Sequence, residues 1–253
     1  MALLEVSKLS KSFGGVKAVQ NVSFSIDAGI VYSVIGPNGA GKTTLFNLIT
    51  SVYTPSEGEI KLDGQSIAGV GPHTLARLGI ARTFQNLQIC MNMSALENVM
   101  VGAHLQLDRN LIKAALRFPS ITRRDREARE QAAELMQFVG LAPFRNAGAD
   151  AMPYGALKRL EIARALAAKP RLLFLDEPAA GLNTKETQDV DALVRKVADS
   201  GITVVLVEHD MKMVMNLSDR ILVLDYGKKL TEGSALEVRS NPDVIAAYLG
   251  AHA

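Results

Sequence analysis

Val31-Tyr32-Ser33-Val34-Ile35-Gly36-Pro37-Asn38-Gly39-Ala40-Gly41-Lys42-Thr43-Thr44 is the stretch that decides the fold. Its first five residues read as a short strand buried on both faces, as in a parallel sheet. Gly36 to Thr43 then fits G-x-x-x-x-G-K-[ST], and a helical pattern begins at Thr43. Glycines at these positions let the backbone curl so that successive amides point at one phosphate, and the helix N-terminus adds its dipole. In that arrangement Lys42 neutralises the β- and γ-phosphates and the Thr43 hydroxyl holds a magnesium ion.

Outward from this loop, Leu172–Leu175, Ile202–Val207 and Ile221–Leu224 are further apolar runs of strand length. Helical patterns accompany them: Thr187 to Ala198 before the third run and Met211 to Leu217 before the fourth. This alternation predicts an α/β core. Nearer the N-terminus, Leu3–Val6, Val22–Ile26 and Glu59–Leu62 alternate in polarity, with turns at Gly14-Gly15, Ala28-Gly29 and Asp63-Gly64. They predict an antiparallel sheet at one edge. From about Glu97 to Gly148 the character changes. Ser94-Ala95-Leu96-Glu97 is a capping box. A strip of mixed charge from Arg123 to Glu134 follows, with Ala132, Leu135, Phe138 and Val139 on one helical side. An inserted helical subdomain is expected there.

Composition narrows the class. The chain has 253 residues, 48% hydrophobic and 21% charged, which excludes a disordered polyelectrolyte. A net charge of +2 is too small for an electrostatic nucleic-acid binder. The single cysteine, Cys90, cannot form an internal disulfide, so a reducing compartment is expected. The first residues lack the apolar core of a secretory signal, and no apolar run approaches the ~18 residues of a membrane span. The expectation is a cytoplasmic protein.

Two strand ends carry chemistry. Leu172-Leu173-Phe174-Leu175-Asp176-Glu177 is an apolar run closing on two carboxylates: Asp176 can reach a metal beside Thr43, and Glu177 can hold an attacking water. Taken alone, the same pattern also fits a strand that simply ends at a helix cap. Glu208-His209-Asp210 closes the run Ile202 to Val207, so His209 can touch the same γ-phosphate. His73, His104 and His252 have no such context and read as surface residues.

The phosphate loop, the Asp-Glu strand end and the strand-end histidine, in this order and spacing, resemble the ATP-binding subunits of ABC transporters from about Leu3 to Gly250. Arg82-Thr83-Phe84-Gln85-Asn86, Asn98-Val99-Met100-Val101-Gly102, Glu177-Pro178-Ala179-Ala180-Gly181-Leu182-Asn183 and the ending Asn241 to Gly250 are similar to the LivG-like subunits of branched-chain amino-acid importers. The fold so implied is a P-loop NTPase core with a mainly parallel sheet, an N-terminal antiparallel β edge and an inserted α-helical subdomain. One domain over 1–253 is expected, with a RecA-like core at about 1–90 and 165–253 and the helical subdomain at about 91–164. The function implied is ATP hydrolysis powering solute import. Urea or amide import, lipopolysaccharide export and a soluble ATPase unconnected with transport are the other readings.

By the same resemblance, Gly36, Pro37, Asn38, Gly39, Ala40, Gly41, Lys42, Thr43 and Thr44 bind ATP, and Phe13 stacks on its adenine. Thr43, Gln85 and Asp176 hold Mg²⁺, while Glu177, His209 and Gln85 are catalytic. Ala180 to Asn183 match the loop that crosses a dimer interface. The signature segment departs from the family's Leu-Ser-Gly-Gly-Gln. Here it is Met152-Pro153-Tyr154-Gly155-Ala156, with Pro153, Tyr154 and Gly155 expected to face ATP on the opposite subunit. Pro153 supplies neither a hydroxyl nor an amide hydrogen. The implied partners are transmembrane permease subunits, a second ATPase (LivF-like or a second copy) and, indirectly, a periplasmic or extracellular solute-binding protein. No nucleic-acid partner is implied. The implied place is the inner face of a bacterial plasma membrane, with the apolar segment Leu87 to Met93 in the groove that receives the permease.

Overall fold

In the computed structural model, residues 2–104 and 119–250 are described. Part of the charged insert (105–118) and His252 lie outside them.

The chain opens with two strands of 12 residues, β1 (Ala2–Phe13) and β2 (Val16–Asp27), paired antiparallel. They extend well beyond the short alternating segments of the sequence. The continuation carries Lys8, Ser10 and Lys11, whose side chains say little about strand; Ser10 and Lys11 still pair, while Lys8 sits at a bulge with φ 48° and its N–H on Ser23 Oγ. β3 (Val31–Ile35) is wholly buried and leads into α1 (Lys42–Ile49). β4 (Glu57–Leu62) and β5 (Gln65–Ser66) complete a four-stranded antiparallel sheet in the order β2-β1-β4-β5. It is a sheet in its own right rather than the margin of the parallel one.

After α2 (Pro72–Arg77) and the three-residue β6 (Ile80–Arg82), the helical part comprises α3 (Ala95–Gly102), α4 (Pro119–Phe138) and α5 (Tyr154–Leu166). The capping box at Ser94 is present. Glu97 N donates to Ser94 Oγ over 3.3 Å, and Ser94 N donates to Glu97 Oε2 over 2.8 Å. On α4, Ala132 and Met136 are buried, Leu135 and Phe138 are half-buried, and the charged face from Arg123 to Glu127 includes the Arg123–Glu127 pair.

The remaining elements are β7 (Leu172–Asp176), α6 (Thr184–Asp199), β8 (Thr203–Val207), α7 (Met211–Leu217), β9 (Arg220–Asp225), β10 (Lys228–Gly233), α8 (Ala235–Ser240) and α9 (Pro242–Gly250). Helix α6 starts three residues before the apolar pattern would place it. Asn183 caps it, accepting from Lys185 N and Glu186 N at 3.0 Å each, while Glu186 reaches back to Asn183 N.

The second sheet has the order β10-β9-β3-β8-β7-β6, parallel except for β10 at its edge. Neither β6 nor β10 stands out in the sequence: one is three residues long and the other is Lys-rich and partly exposed. Alternate residues of the central strands serve opposite sides. Leu173, Leu175, Val204 and Leu206 join a cluster with α3 to α7. Leu172, Phe174, Val205 and Val207 join another with α1 and the antiparallel sheet. Both faces are thus sealed, and polar groups are left at the carboxyl ends of β3, β7 and β8.

Candidate active site

Gly36 leaves β3 with φ 152°, and a Cβ there would lie 2.1 Å from the carbonyl oxygen of Leu224, so only glycine fits. Gly41 caps α1 at φ 100°, where a Cβ would lie 2.5 Å from Ala18 O. Between them the loop closes with Ala40 N donating to Pro37 O. The buried Lys42 folds over the loop, and its Nζ donates to Gly36 O at 2.7 Å and Pro37 O at 3.0 Å. Burial lowers its pKa, opposed by the charge of Glu177. Such a lysine is positioned to exchange two carbonyl contacts for phosphate oxygens.

A cavity of about 420 Å³ runs along the loop, lined by Val16, Lys17, Ala18, Gln20, Tyr226 and residues 39–44. Another of about 780 Å³ lies between Gly36–Ala40, His209 and the C-terminal Tyr248. Thr43 is exposed at the first turn of α1 and Thr44 is half-buried. Phe13, 43% exposed, lines neither cavity; its ring stands edge-on to Tyr53 at 5.1 Å, beneath Lys11. Val16 is the apolar side chain from that hairpin that does line the cavity.

Strands β7 and β8 are adjacent and in register, Asp176 opposite Val207, so both chemical strand ends meet. Glu177 turns out of the sheet at φ 50°, a left-handed conformation costly for a non-glycine residue, and its N–H donates to Val207 O. Its carboxylate lies between two of the residues anticipated with it. Oε1 is 2.8 Å from His209 Nε2, and Oε2 accepts from Gln85 Nε2 at 3.2 Å. Lys158 Nζ contacts the Glu177 carbonyl at 3.4 Å. Asp176 is buried at the end of β7 and is paired with Arg82 at 2.9 Å.

Two residues the sequence did not single out are built into this site. Glu208, buried, accepts from Ala179 N at 2.8 Å and His209 N at 3.0 Å, so it ties the backbone beyond Glu177 to the backbone of His209. Burial pushes its pKa up despite these amides. The only hint was a carboxylate directly after a buried strand. Arg82 is the other; a cation between apolar Ala81 and Gln85 was the available signal.

Among the described residues no three His, Cys, Asp or Glu side chains cluster as a metal cage. The buried carboxylate of Asp176 and the exposed hydroxyl of Thr43 and side-chain amide of Gln85 are hard oxygen donors. That set fits Mg²⁺, which takes few protein ligands and completes its shell with phosphates and water.

Pro153 caps α5 through its carbonyl, which accepts from Ala156 N and Leu157 N at 3.0 Å each. Gly155 is packed against Glu186, and a Cβ on Gly181 would lie 3.2 Å from the Tyr154 ring. The signature segment therefore sits against Gly181 and the first turn of α6. None of Pro153, Tyr154 and Gly155 lines the cavities at the phosphate loop.

Similarity to known proteins agrees with this geometry. Residues 19–180 match the ABC transporter family, and residues 228–253 match the branched-chain amino acid ATP-binding cassette transporter family. The chain is 48% identical over 249 residues to the high-affinity branched-chain amino acid transport ATP-binding protein BraF of Pseudomonas aeruginosa, covering 98% of each. It is 44% identical over 249 residues to the corresponding protein LivG of Escherichia coli K12, again covering 98% of each. Among solved structures, an ATP-binding cassette of an ABC transporter in its ADP conformation superimposes with a TM-score of 0.86 at 32% identity, covering 99% of both chains. A phosphate loop, a carboxylate pair and a histidine gathered at one sheet edge, in a chain alike from end to end, make this protein a member of the ABC transporter family, one of its ATP-binding subunits.

Proposed function

We propose that this chain hydrolyses ATP with Mg²⁺ to drive import of branched-chain amino acids, docked on permease subunits at the inner face of a bacterial plasma membrane. The observation that carries the reading is the carboxylate of Glu177 held between His209 and Gln85 beside the phosphate loop. The substrate class rests on the likeness to BraF and LivG and on the C-terminal match. No helix of the described residues is long and apolar enough to cross a membrane, so the route for solute belongs to partner subunits.

In this reading residues 36–44 hold the phosphates of ATP and Phe13 serves its adenine. Lys42 bonds the β- and γ-phosphate oxygens. Bound Mg²⁺ offsets phosphate charge as a Lewis acid. Thr43, Gln85 and Asp176 are the residues to hold it. Glu177 orients the attacking water and accepts its proton, and His209 faces the γ-phosphate and steadies the developing charge. By their match to the family's signature segment, Pro153, Tyr154 and Gly155 serve the ATP of a second ATPase subunit, like or unlike; they line neither cavity at their own phosphate loop. The helical part, about residues 91–164, presents that segment as a subdomain of a single cassette.

Glu177→Gln tests the chemistry. Hydrolysis is expected to fall by about 10²- to 10⁴-fold, with ATP binding retained. Recovery of that variant from native membranes with ATP and Mg²⁺ tests the assembly. Permease chains and an ATPase partner are the expected companions; ribosomal proteins without membrane components would reject the transport reading, and normal turnover would remove Glu177 from its role.

A further inference from the structure

Arg82 is held on all sides of its guanidinium. It ends β6, three residues before Gln85. Its side chain is 9% exposed, and every guanidinium nitrogen is engaged. Nη2 donates to Asp176 Oδ2 at 2.9 Å. Nη1 donates to Asn47 Oδ1 at 2.6 Å and Thr50 Oγ1 at 2.9 Å, both at the end of α1, the helix that grows from the phosphate loop. Nε donates to Thr83 O at 3.3 Å. The guanidinium carbon lies 4.9 Å from the Phe84 ring centroid and 5.9 Å from that of Phe46.

This is more apparatus than a strand-end ion pair needs. A planar fork with fixed donor directions, pinned on one side by Asn47 and Thr50, has one orientation left for its remaining edge. That edge selects one oxygen of Asp176 and thereby fixes the carboxylate's rotation. A lysine, a point charge on a flexible stem, would neutralise Asp176 without setting its angle.

We propose that Arg82 is a positioning residue for the metal-binding carboxylate: anchored to α1, it commits Asp176 Oδ2 to the protein and leaves Oδ1 as the oxygen that would hold magnesium. This rests on the assignment of Asp176 as a metal ligand. It adds a connection that assignment lacks, since the same guanidinium joins the phosphate-loop helix, the metal carboxylate and the backbone that leads to Gln85. Carboxylates that ligate metals are themselves held by hydrogen bonds, and loss of such a partner typically weakens metal affinity by about 10- to 100-fold.

The experiment uses the full chain saturated with ADP and titrated with Mn²⁺ as the probe, free Mn²⁺ being read by electron paramagnetic resonance. Arg82→Met is expected to weaken Mn²⁺ binding by about 10- to 100-fold with metal-free ADP affinity unchanged, and Arg82→Lys to recover only part of the loss. Asn47→Ala, which keeps the arginine and removes one anchor, is expected to shift Mn²⁺ affinity a few-fold in the same direction. It decides the matter if Arg82→Met does not fold. Unchanged Mn²⁺ affinity in these variants, even with lowered thermal stability, would reduce Arg82 to a strut; tighter binding would make it a competitor of the metal. Either overturns the proposal. Asp176→Asn separates the two levels: if it binds Mn²⁺ like the parent, the metal assignment itself is wrong.

Discussion

Glu208 offers the sharpest test of how the site is held together. The carboxylate is 4% exposed and accepts from Ala179 N and His209 N, so one side chain ties the two backbones that carry Glu177 and His209. In Glu208→Ala both amides lose their acceptor. An amide left buried without one costs about 1–3 kcal/mol. His209 is exposed and Ala179 half-buried, so water recovers part of the loss at each. Removal of a buried charge gives part of it back. The net expectation is a loss of about 1 kcal/mol, or roughly 2–4 °C in melting temperature for a chain of this size. Turnover should fall by about 10-fold or more as Glu177 and His209 lose their common tie, with KM for ATP little changed. Glu208→Gln isolates the charge. Burial raises the Glu208 pKa above its ordinary 4.5. Its contribution to stability is therefore complete below pH 4.5 and is lost as pH rises through the folded-state value. The melting temperature of the parent minus that of Glu208→Gln should be largest near pH 4 and shrink toward neutrality. Differential scanning fluorimetry across that range, beside steady-state hydrolysis, reads both effects. A constant or growing difference, or an Ala variant with full turnover, would refute the tie.

Two other expectations follow from exposed groups. Met91 is 44% exposed in the segment after Gln85, while Leu87 and Ile89 are half-buried against the helical part. Met91→Asp should therefore leave the protein folded and its basal hydrolysis intact, yet lower solute uptake in membrane vesicles several-fold; full uptake would place the permease contact elsewhere. Hydrogen bonds from Ser94 lower the pKa of Glu97 below its ordinary 4.5. That stabilisation is present above pH 4.5 and is lost as pH falls through the folded-state value. Glu97→Ala should thus melt below the parent at pH 7 and converge with it in acid, and a gap that persists at pH 2–3 would contradict the capping box.

What the sequence disclosed, and what it withheld, follows from the range of the interactions. The phosphate loop is legible because its chemistry is contiguous. Gly36 and Gly41 are demanded by local backbone angles and close carbonyls, and Lys42 bonds residues five and six positions away. The carboxylates at 176 and 177 and the histidine at 209 are legible because charge ends a fully buried run. Their meeting depends on β7 lying beside β8, which the residues alone do not state. Arg82 was illegible for the same reason carried further, since its partner Asp176 is 94 residues away. Phe13 is legible by residue type and motif order alone; its ring is exposed and stands edge-on to Tyr53.

The degenerate signature segment is where local reading and tertiary structure pull apart most. Residue by residue, Pro153 removes a hydroxyl and an amide hydrogen, which argues for a weakened contact with a partner's ATP. The helix behind it nevertheless remains tied to the machinery of its own chain. On successive turns of α5, Lys158 contacts the Glu177 carbonyl, Glu161 accepts from Phe84 N at 3.3 Å, and Arg164 donates to Gln88 O. Burial raises the Glu161 pKa, and Lys158 and Arg164 counter it. One face of the signature helix thus holds both the left-handed Glu177, through its carbonyl, and the loop that carries Gln85. Any displacement of α5 would move those backbones together, whatever residue stands at position 153.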